Sequence, residues 1–258
     1  MVSTTAIASG SNGNCYFVAS GNDSLLIDAG LSCKELLNRM SNLSISVKRL
    51  SGLFISHEHS DHIRGVEVIS KKYDIPVYVT EGTFNAGNFR VNDRLLNFIK
   101  PNDKVKIGNI QVDSFRKNHD AAEPCSFLLT AEKYKIAVLT DIGEKCQNVI
   151  NAISKANVAF LESNYDELML AKSSYPYVLK QRIGGNMGHF SNYQASLLVL
   201  EHANPCLKHV FLSHLSANNN TPELAYQTFT SFIKERKDLQ VNSIMTSRHK
   251  ESTLLDLE

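Results

Sequence analysis

Phe-Ile-Ser-His-Glu-His-Ser-Asp-His, residues 54–62, places three histidines and two carboxylates directly after an apolar run. Imidazoles and carboxylates bind zinc, manganese and iron(II), so this crowding indicates a metal site. Alternate residues of an extended turn point the same way, which allows His57 and His59 to share one ion. Asp61 and His62 lie where the chain turns into a helix and can face a second ion. A polar turn with a purely structural role is the alternative interpretation.

Further candidate ligands follow predicted strands elsewhere in the chain. The loop at residues 57–62 cannot complete two coordination spheres alone, so we expect the remaining ligands at other strand ends. His119 follows the predicted strand Gln111–Phe115, Asp141 ends Ile136–Thr140, His214 ends Val210–Ser213, and Asp28 also ends a strand. Four strands that end in such side chains are harder to explain by chance than one.

Composition and length favour a single domain over residues 1–258. The chain has a formal charge of +1 and an apolar fraction of 43%, which is ample for a core. The near-neutral charge gives little information about partners, because an enzyme can contact a few phosphates through a local patch. The five cysteines never occur as CxxC, which is typical of reduced thiols in the cytosol.

The sequence also predicts a cytoplasmic protein without a nucleotide cofactor. The first ten residues lack a basic segment followed by a long apolar one, and no apolar stretch approaches the roughly 20 residues that span a bilayer. We therefore expect no contact with a membrane. The glycine-rich motifs of dinucleotide-binding and P-loop proteins are absent from the sequence.

The predicted elements run in the order β-rich, α, β-rich, α, which favours two packed sheets with helices outside. Ser32 and Glu35 have the spacing of a capping box at the start of the first helix. The predicted helices are Ser32–Met40, Ile63–Tyr73, Glu144–Lys155, Ser191–His202 and Pro222–Lys234.

The motif His57-x-His59-x-Asp61-His62, with its partners before and after, resembles the metallo-β-lactamase superfamily. The resemblance implies an αββα four-layer sandwich of two mixed β-sheets flanked by helices, with two divalent ions, Zn²⁺ or Mn²⁺, or alternatively iron. It assigns His57, His59 and His119 to one ion, and Asp61, His62 and His214 to the other, with Asp141 bridging them and Asp28 orienting a ligand. Asp120 is an alternative to His119.

Five further stretches resemble the WalJ/YycJ-type branch of this superfamily. They are Ser9–Cys15, His119–Pro124, Leu161–Asn164, Gly188–Asn192 and Leu212–Ser216. The branch implies a DNA exonuclease linked to DNA repair, in which a hydroxide bridging the ions attacks the scissile phosphate. Asp61, Asp141 and His189 are then the predicted catalytic residues. His189 and the Ser191-capped helix are candidates for holding a phosphate, and the Ser9–Asn14 loop is expected to offer backbone N–H groups.

Two other functions remain open from the sequence. A hydrolase of a thioester or lactone would use the same metal ligands with an apolar pocket. A metal-binding partner of repair or signalling proteins without catalysis is the second, although a bridging aspartate argues against it. The sequence favours DNA over RNA as substrate and leaves the oligomeric state undetermined.

Overall fold

The structure is a computed structural model that describes residues 1–258. Its contacts group into two compact units. Unit 1 comprises Met1–Arg116, Ala121–Tyr134 and Ser247–Glu258, and unit 2 comprises Lys117–Asp120 and Lys135–Thr246. The single domain expected over residues 1–258 stays a prediction.

The secondary structure comprises strands β1 to β14 and helices α1 to α9. The strands are β1 Val2–Ala8, β2 Cys15–Ser20, β3 Asp23–Ile27, β4 Leu50–Phe54, β5 Val77–Thr80, β6 Leu96–Ile99, β7 Lys104–Ile107, β8 Ile110–Arg116, β9 Cys125–Ala131, β10 Tyr134–Leu139, β11 Val158–Glu162, β12 His209–Ser213, β13 Asn242–Met245 and β14 Leu255–Leu257. The helices are α1 Cys33–Asn42, α2 Ser60–Ile63, α3 Val66–Tyr73, α4 Glu81–Ala86, α5 Gln147–Ile153, α6 Glu167–Lys172, α7 Tyr177–Ile183, α8 Asn192–His202 and α9 Pro222–Ile233. None of these helices is long and apolar enough to cross a membrane.

In unit 1, seven strands form a mixed sheet in the order β14-β1-β2-β3-β4-β5-β6. The strands from β14 to β3 pair antiparallel, and those from β3 to β6 pair parallel. Side chains of this sheet share an apolar core with Leu36 and Met40 of α1 and with Ile69 of α3. Ile27 pairs with Phe54 in the parallel register of β3 and β4, so the chain leaves both strands at the same edge.

In unit 2, strands β10, β11, β12 and β13 pair parallel in that order. Every residue of β11 is buried, as expected for a central parallel strand covered on both faces. Leu139, Leu161 and Leu212 lie side by side in the register. The residues that follow them therefore meet at the carboxyl edge, where open parallel sheets usually bind ligands.

The helix predicted over Ile63–Tyr73 is instead two helices separated at Gly65. A side chain at Gly65 would place its Cβ 2.4 Å from the carbonyl oxygen of Leu31, and the Gly65 N–H donates to Ala29 O. This close approach of two backbones interrupts the helix, because only glycine fits there. The apolar spacing of residues 63–73 therefore gave no sign of the break at Gly65.

The capping box predicted for α1 is half formed. Ser32 accepts the N–H of Glu35, as expected of an N-cap. The side chain of Glu35 pairs instead with Arg39 Nε at 2.8 Å, four residues along the helix. The complete box lies at α8, where Ser191 accepts Gln194 N–H and Gln194 Oε1 accepts Ser191 N–H.

Helices α6 and α7 were absent from the sequence prediction. Residues 164–188 lack a clear apolar stripe, and α7 buries none of its seven residues. Periodicity detects a helix through its buried face, so a helix without one escapes detection. The helix predicted over Glu144–Lys155 is also shorter, with α5 beginning only at Gln147.

Candidate functional site

The first histidine cluster consists of His57, His59, Asp61 and His62, all in unit 1. The chain stays extended beyond β4 and turns into α2 with His59 at the N-cap. The rings of His57 and His62 are buried with centroids 4.1 Å apart, and His57 Nε2 lies 3.1 Å from His59 Nδ1. The loop thus groups its three imidazoles.

Asp28 orients this cluster from the end of β3. Its backbone has a positive φ of 62°, and its N–H donates to Phe54 O of the neighbouring strand. Asp28 Oδ1 accepts Ser56 N–H at 2.8 Å, and Oδ2 lies 2.7 Å from His62 Nδ1. Because a carboxylate can only accept, it holds the proton on Nδ1. His62 Nε2 is then the lone-pair nitrogen, the form in which histidine binds a metal.

Ser56 links Asp28 to His57 and fixes the tautomer of that ring as well. The Ser56 hydroxyl donates to Asp28 Oδ2 at 2.8 Å and therefore accepts the Nδ1–H of His57 at 2.9 Å. One buried carboxylate thereby fixes the tautomers of two histidines, one directly and one through a hydroxyl. No role was predicted for Ser56 from the sequence, although it directly precedes the first histidine.

Asn14 is a second side chain that the sequence analysis missed. Asn14 Nδ2 lies 3.2 Å from Asp61 Oδ2 and 3.1 Å from His62 Nε2, and Asn14 N–H donates to Asp61 O. A Cβ at Gly30 would lie 1.6 Å from Asp61 O, so the chain segments are in close contact here. The loop before β2 thus contributes a side-chain amide.

Part of the backbone of that loop is already hydrogen-bonded, and the expectation that the loop offers N–H groups at a site rim stays a prediction for the rest. Gly10 N–H donates to Asn14 Oδ1, and Gly13 N–H donates to Gly10 O. These two donors shape the loop, whereas the Asn14 N–H joins it to Asp61.

The second histidine cluster consists of Asp141, Glu162, His189 and His214, all in unit 2. Each offers one ligand atom, and these atoms lie within 4.8 Å of one another. Asp141 follows β10 and His214 follows β12, both with a positive φ of 57–58°. Asp141 Oδ1 lies 3.3 Å from His214 Nδ1. The structure thus brings Asp141, His189 and His214 together.

Glu162, the last residue of β11, organises this cluster and was given no role by the sequence analysis. Its Oε1 accepts the Nδ1–H groups of His189 and His214, each at 2.8 Å. Its Oε2 accepts the backbone N–H groups of Ile142 and Phe190 at 2.7 and 3.1 Å. These four bonds use the acceptor capacity of a carboxylate, so Glu162 orients ligands and does not act as one.

Those contacts keep Glu162 ionised. Burial alone would raise its pKa, but the charge of His189 and the hydrogen bonds from both histidines lower the pKa to about 2. The carboxylate therefore remains an acceptor at neutral pH. Both histidines donate Nδ1–H to Glu162, which fixes the orientation of each ring.

His119 is buried in unit 2 and is better placed as a ligand than its alternative, Asp120. Its Nδ1–H donates to Gly188 O at 3.0 Å, and its Nε2 lies 3.9 Å from Asp141 Oδ1. Burial lowers the pKa of His119 to about 3, with Asp141 opposing and Lys117 reinforcing the shift. The ring is thus neutral at pH 7, whereas Asp120 forms an ion pair with Arg182 at 2.6 Å.

His189 differs from the rest of the second cluster by its access to solvent. Its side chain is 23% exposed, against 3% or less for the others. Ser191, the other candidate for a phosphate contact, is buried and donates its hydroxyl to Glu167 Oε1 while it caps α8. The capping role explains the position of Ser191 in the structure. Of these two candidates for a phosphate contact, only His189 is accessible to solvent.

The sequence is similar to known proteins of one superfamily. The sequence matches the model of the Metallo-beta-lactamase superfamily over residues 8–198. It is 36% identical over 237 residues to exodeoxyribonuclease YycJ of Bacillus anthracis, covering 90% of this chain and 89% of that protein. It is 32% identical over 233 residues to exodeoxyribonuclease WalJ of Streptococcus pneumoniae, covering 87% and 86%.

Among solved structures, the metallo-β-lactamase fold protein YhfI of Bacillus subtilis is similar over 98% of both chains. The TM-score is 0.75 and the sequence identity 15%, so this likeness concerns the fold alone. It confirms the predicted fold class, two mixed β-sheets flanked by helices.

Proposed function

The chain belongs to the metallo-β-lactamase superfamily, and we propose that it is a metal-dependent exodeoxyribonuclease. Membership in this superfamily and the similarity to two exodeoxyribonucleases support a hydrolase. The observation that carries the DNA substrate is the 36% identity to YycJ over about nine-tenths of both chains.

The residues of both clusters fit divalent metal ions. Imidazole nitrogens and carboxylate oxygens suit zinc, manganese and iron(II) without thiolates. His62, His189 and His214 each have Nδ1–H held by a buried carboxylate, and His119 has it held by a carbonyl oxygen. Metal-binding histidines nearly always show this arrangement, because it fixes the ring and presents Nε2.

The proposed ligands are His57, His59, Asp61 and His62 in unit 1 and His119, Asp141 and His214 in unit 2. Two bound ions would supply positive charge to the scissile phosphate and lower the pKa of a bound water. Asp28 and Glu162 hold the ligands in the required tautomers, so the chain is prepared for metal before any substrate arrives.

His189 is the proposed group that protonates the leaving 3′-oxygen or holds a phosphate. It is the exposed member of its cluster, and its Nδ1–H is fixed on Glu162 at 2.8 Å. Glu162 fixes the orientation of the His189 ring through this bond and leaves Nε2 for the substrate. This is the role that a buried aspartate has beside the histidine of a serine protease.

A role in DNA repair and a cytoplasmic location belong to this proposal. Both derive from the resemblance to the WalJ/YycJ-type branch. A raised mutation rate after deletion of the gene would support the first, and fractionation of cells would test the second.

Digestion of end-labelled nucleic acids tests the function. Purified protein with Zn²⁺ or Mn²⁺ should release nucleotides from single- or double-stranded DNA, and EDTA should abolish the release. Cleavage of RNA alone would change the substrate assignment. Turnover of a thioester or lactone without any cleavage of DNA, RNA or bis(p-nitrophenyl) phosphate would contradict the proposal and favour the alternative hydrolase.

A further inference from the structure

The turn Gly10–Gly13 lies between β1 and β2 and offers backbone donors to solvent. Gly13 N–H donates to Gly10 O at 2.9 Å, which closes the turn. Ser11 and Asn12, the two residues between them, are exposed, and the structure shows no acceptor for their N–H groups. Neighbouring N–H groups at the tip of a turn are a common way to bind an anion.

Hydrogen bonds hold this turn next to the first histidine cluster. Gly10 N–H donates to Asn14 Oδ1 at 3.0 Å, and Asn14 Nδ2 lies 3.2 Å from Asp61 Oδ2. Asn14 N–H also donates to Asp61 O at 2.8 Å. Because Asp61 is a proposed metal ligand, an anion bound on the turn would lie close to that cluster.

Two arginines contact the turn. Arg64 is exposed, follows His62 by two residues and donates from Nη1 to Asn12 O at 3.3 Å. Arg248 lies against Gly10, because a Cβ built at Gly10 would be 3.2 Å from Arg248 Cβ and 3.6 Å from its Nη2. A guanidinium has a planar set of donors that matches a phosphate group, so both side chains suit this ligand.

Positive charge is in excess around the turn. The other charged residues beside the two arginines are two cations, Arg90 and Lys250, and two acids, Glu67 and Glu251. Four cations against two acids leave an excess of two positive charges. Glu35 is already paired with Arg39, and the acceptor of Arg64 is a carbonyl oxygen without net charge. Burial lowers the pKa of Arg248, so contact with an anion would stabilise this partly dehydrated charge.

We infer that the turn Gly10–Gly13, together with Arg64 and Arg248, binds a second phosphate of the DNA beside the one that is hydrolysed. Guanidinium groups and backbone N–H groups are the donors that proteins direct to DNA phosphates, and they act on any base sequence. The second phosphate is either internal or at the end of a strand, since both have the same chemistry. The inference rests on the proposed nuclease function and adds a point of contact with its substrate.

Rates on two substrates test this inference. Bis(p-nitrophenyl) phosphate has a single phosphate group, so it cannot occupy the metal site and the turn together. We expect Arg64→Ala and Arg248→Ala each to lower kcat/KM for DNA about 10- to 100-fold more than for this small substrate, mainly through KM, because each removes a hydrogen bond to a charged group. Arg94→Ala is the matched control, because Arg94 is an exposed arginine that pairs with Asp74.

Salt dependence of binding tests the charge. Anisotropy of a fluorescein-labelled duplex with phosphorothioate linkages, which resist digestion, is followed in Mn²⁺. Arg248→Ala should make the slope of log K against log salt concentration shallower by about 0.9, the value for one phosphate that is no longer neutralised, and Arg248→Lys should keep it. Duplexes with and without terminal phosphates show whether the bound phosphate is terminal or internal. Circular dichroism checks that each variant folds.

The outcomes separate the two proposals. If the wild-type chain digests DNA but Arg64→Ala and Arg248→Ala change KM and the salt slope no more than Arg94→Ala does, the inference is overturned and the nuclease function stands. If no DNA is digested but Arg248→Ala weakens binding of the duplex, the function fails and the phosphate site remains supported. Equal losses on DNA and on bis(p-nitrophenyl) phosphate would show that the arginines act on the metal site itself and would overturn the inference.

Discussion

The two histidine clusters are each organised by a fully buried carboxylate, but they arise from the chain in different ways. In the first cluster the four candidate ligands lie within six consecutive positions, 57–62, and Asp28 contacts them from the adjacent parallel strand. In the second, Asp141, Glu162 and His214 follow or end three parallel strands, and His189 precedes a helix. The first cluster is local in sequence, whereas the second depends on strand register.

The two carboxylates also differ in how they contact their histidines. Asp28 contacts His62 directly and His57 through the Ser56 hydroxyl, whereas Glu162 contacts both of its histidines directly. Glu162 further accepts two backbone N–H groups, against one for Asp28. In the second cluster Glu162 alone orients both histidines, whereas in the first cluster Asp28 and Ser56 share this task.

The largest effect is expected from removing one ligand in either cluster. His59→Ala and His214→Ala should each reduce DNA digestion by more than the roughly 100-fold that outer partners of metal ligands cost. His202→Ala is the control, because His202 lies outside both clusters beside Glu201. Full activity in either ligand variant would show that its cluster does not bind a catalytic metal.

Removing the charge of each organising carboxylate should have the next largest effect. Asp28→Asn and Glu162→Gln each place an amide N–H group against donors, which costs about 1–3 kcal/mol of unfolding free energy and 10- to 100-fold in activity. We expect Glu162→Gln to cost more in both, measured by urea denaturation and by DNA digestion. An Asp28→Asn variant with the larger losses would reverse the comparison.

Ser56→Ala isolates the relay that is present only in the first cluster. Without the hydroxyl His57 loses the acceptor for its Nδ1–H, and we expect about 10-fold weaker metal binding, the low end for outer partners. Ser70→Ala, a buried serine of unit 1 that donates to Ile75 O, is the control. Equal metal affinity in the two variants would show that Ser56 does not contribute to metal binding.

The smallest effect is on the acid stability of the metal-free protein. His119 has a pKa lowered from 6.5 to about 3, so the unfolded chain takes up a proton first and stability falls between those values. Glu162, whose pKa is lowered from 4.5 to about 2, contributes stability above pH 4.5 that is lost as the pH falls towards 2. Urea midpoints in EDTA should decline accordingly.

His119→Asn separates the two contributions. This variant should show a shallower decline from pH 6.5 down to about 3, and the difference is easiest to assign between pH 6.5 and 4.5, where Glu162 does not yet contribute. An identical profile in both proteins would contradict the assignment of the upper part to His119.

The difference between the two clusters also explains which parts of the site and the fold could be predicted from the sequence. The first cluster was recognisable because residues 57–62 carry it, and Asp141 and His214 were recognisable because they end apolar strands. Glu162 was missed although it also ends such a strand, because its contacts to His189 and His214 depend on parallel pairing that no local spacing reveals. Helix α7 was missed since it buries no face, and the break at Gly65 since it reflects a distant backbone contact.

Metal content tests the central claim, that both clusters bind divalent metal, most directly. The purified chain is equilibrated with Zn²⁺ or Mn²⁺, desalted and analysed by inductively coupled plasma mass spectrometry beside the His59→Ala, His214→Ala and His202→Ala variants. We predict two ions per chain in the wild type and in His202→Ala, and fewer in both ligand variants. A wild-type chain that retains no ion, or ligand variants that retain as many as wild type, would contradict the account.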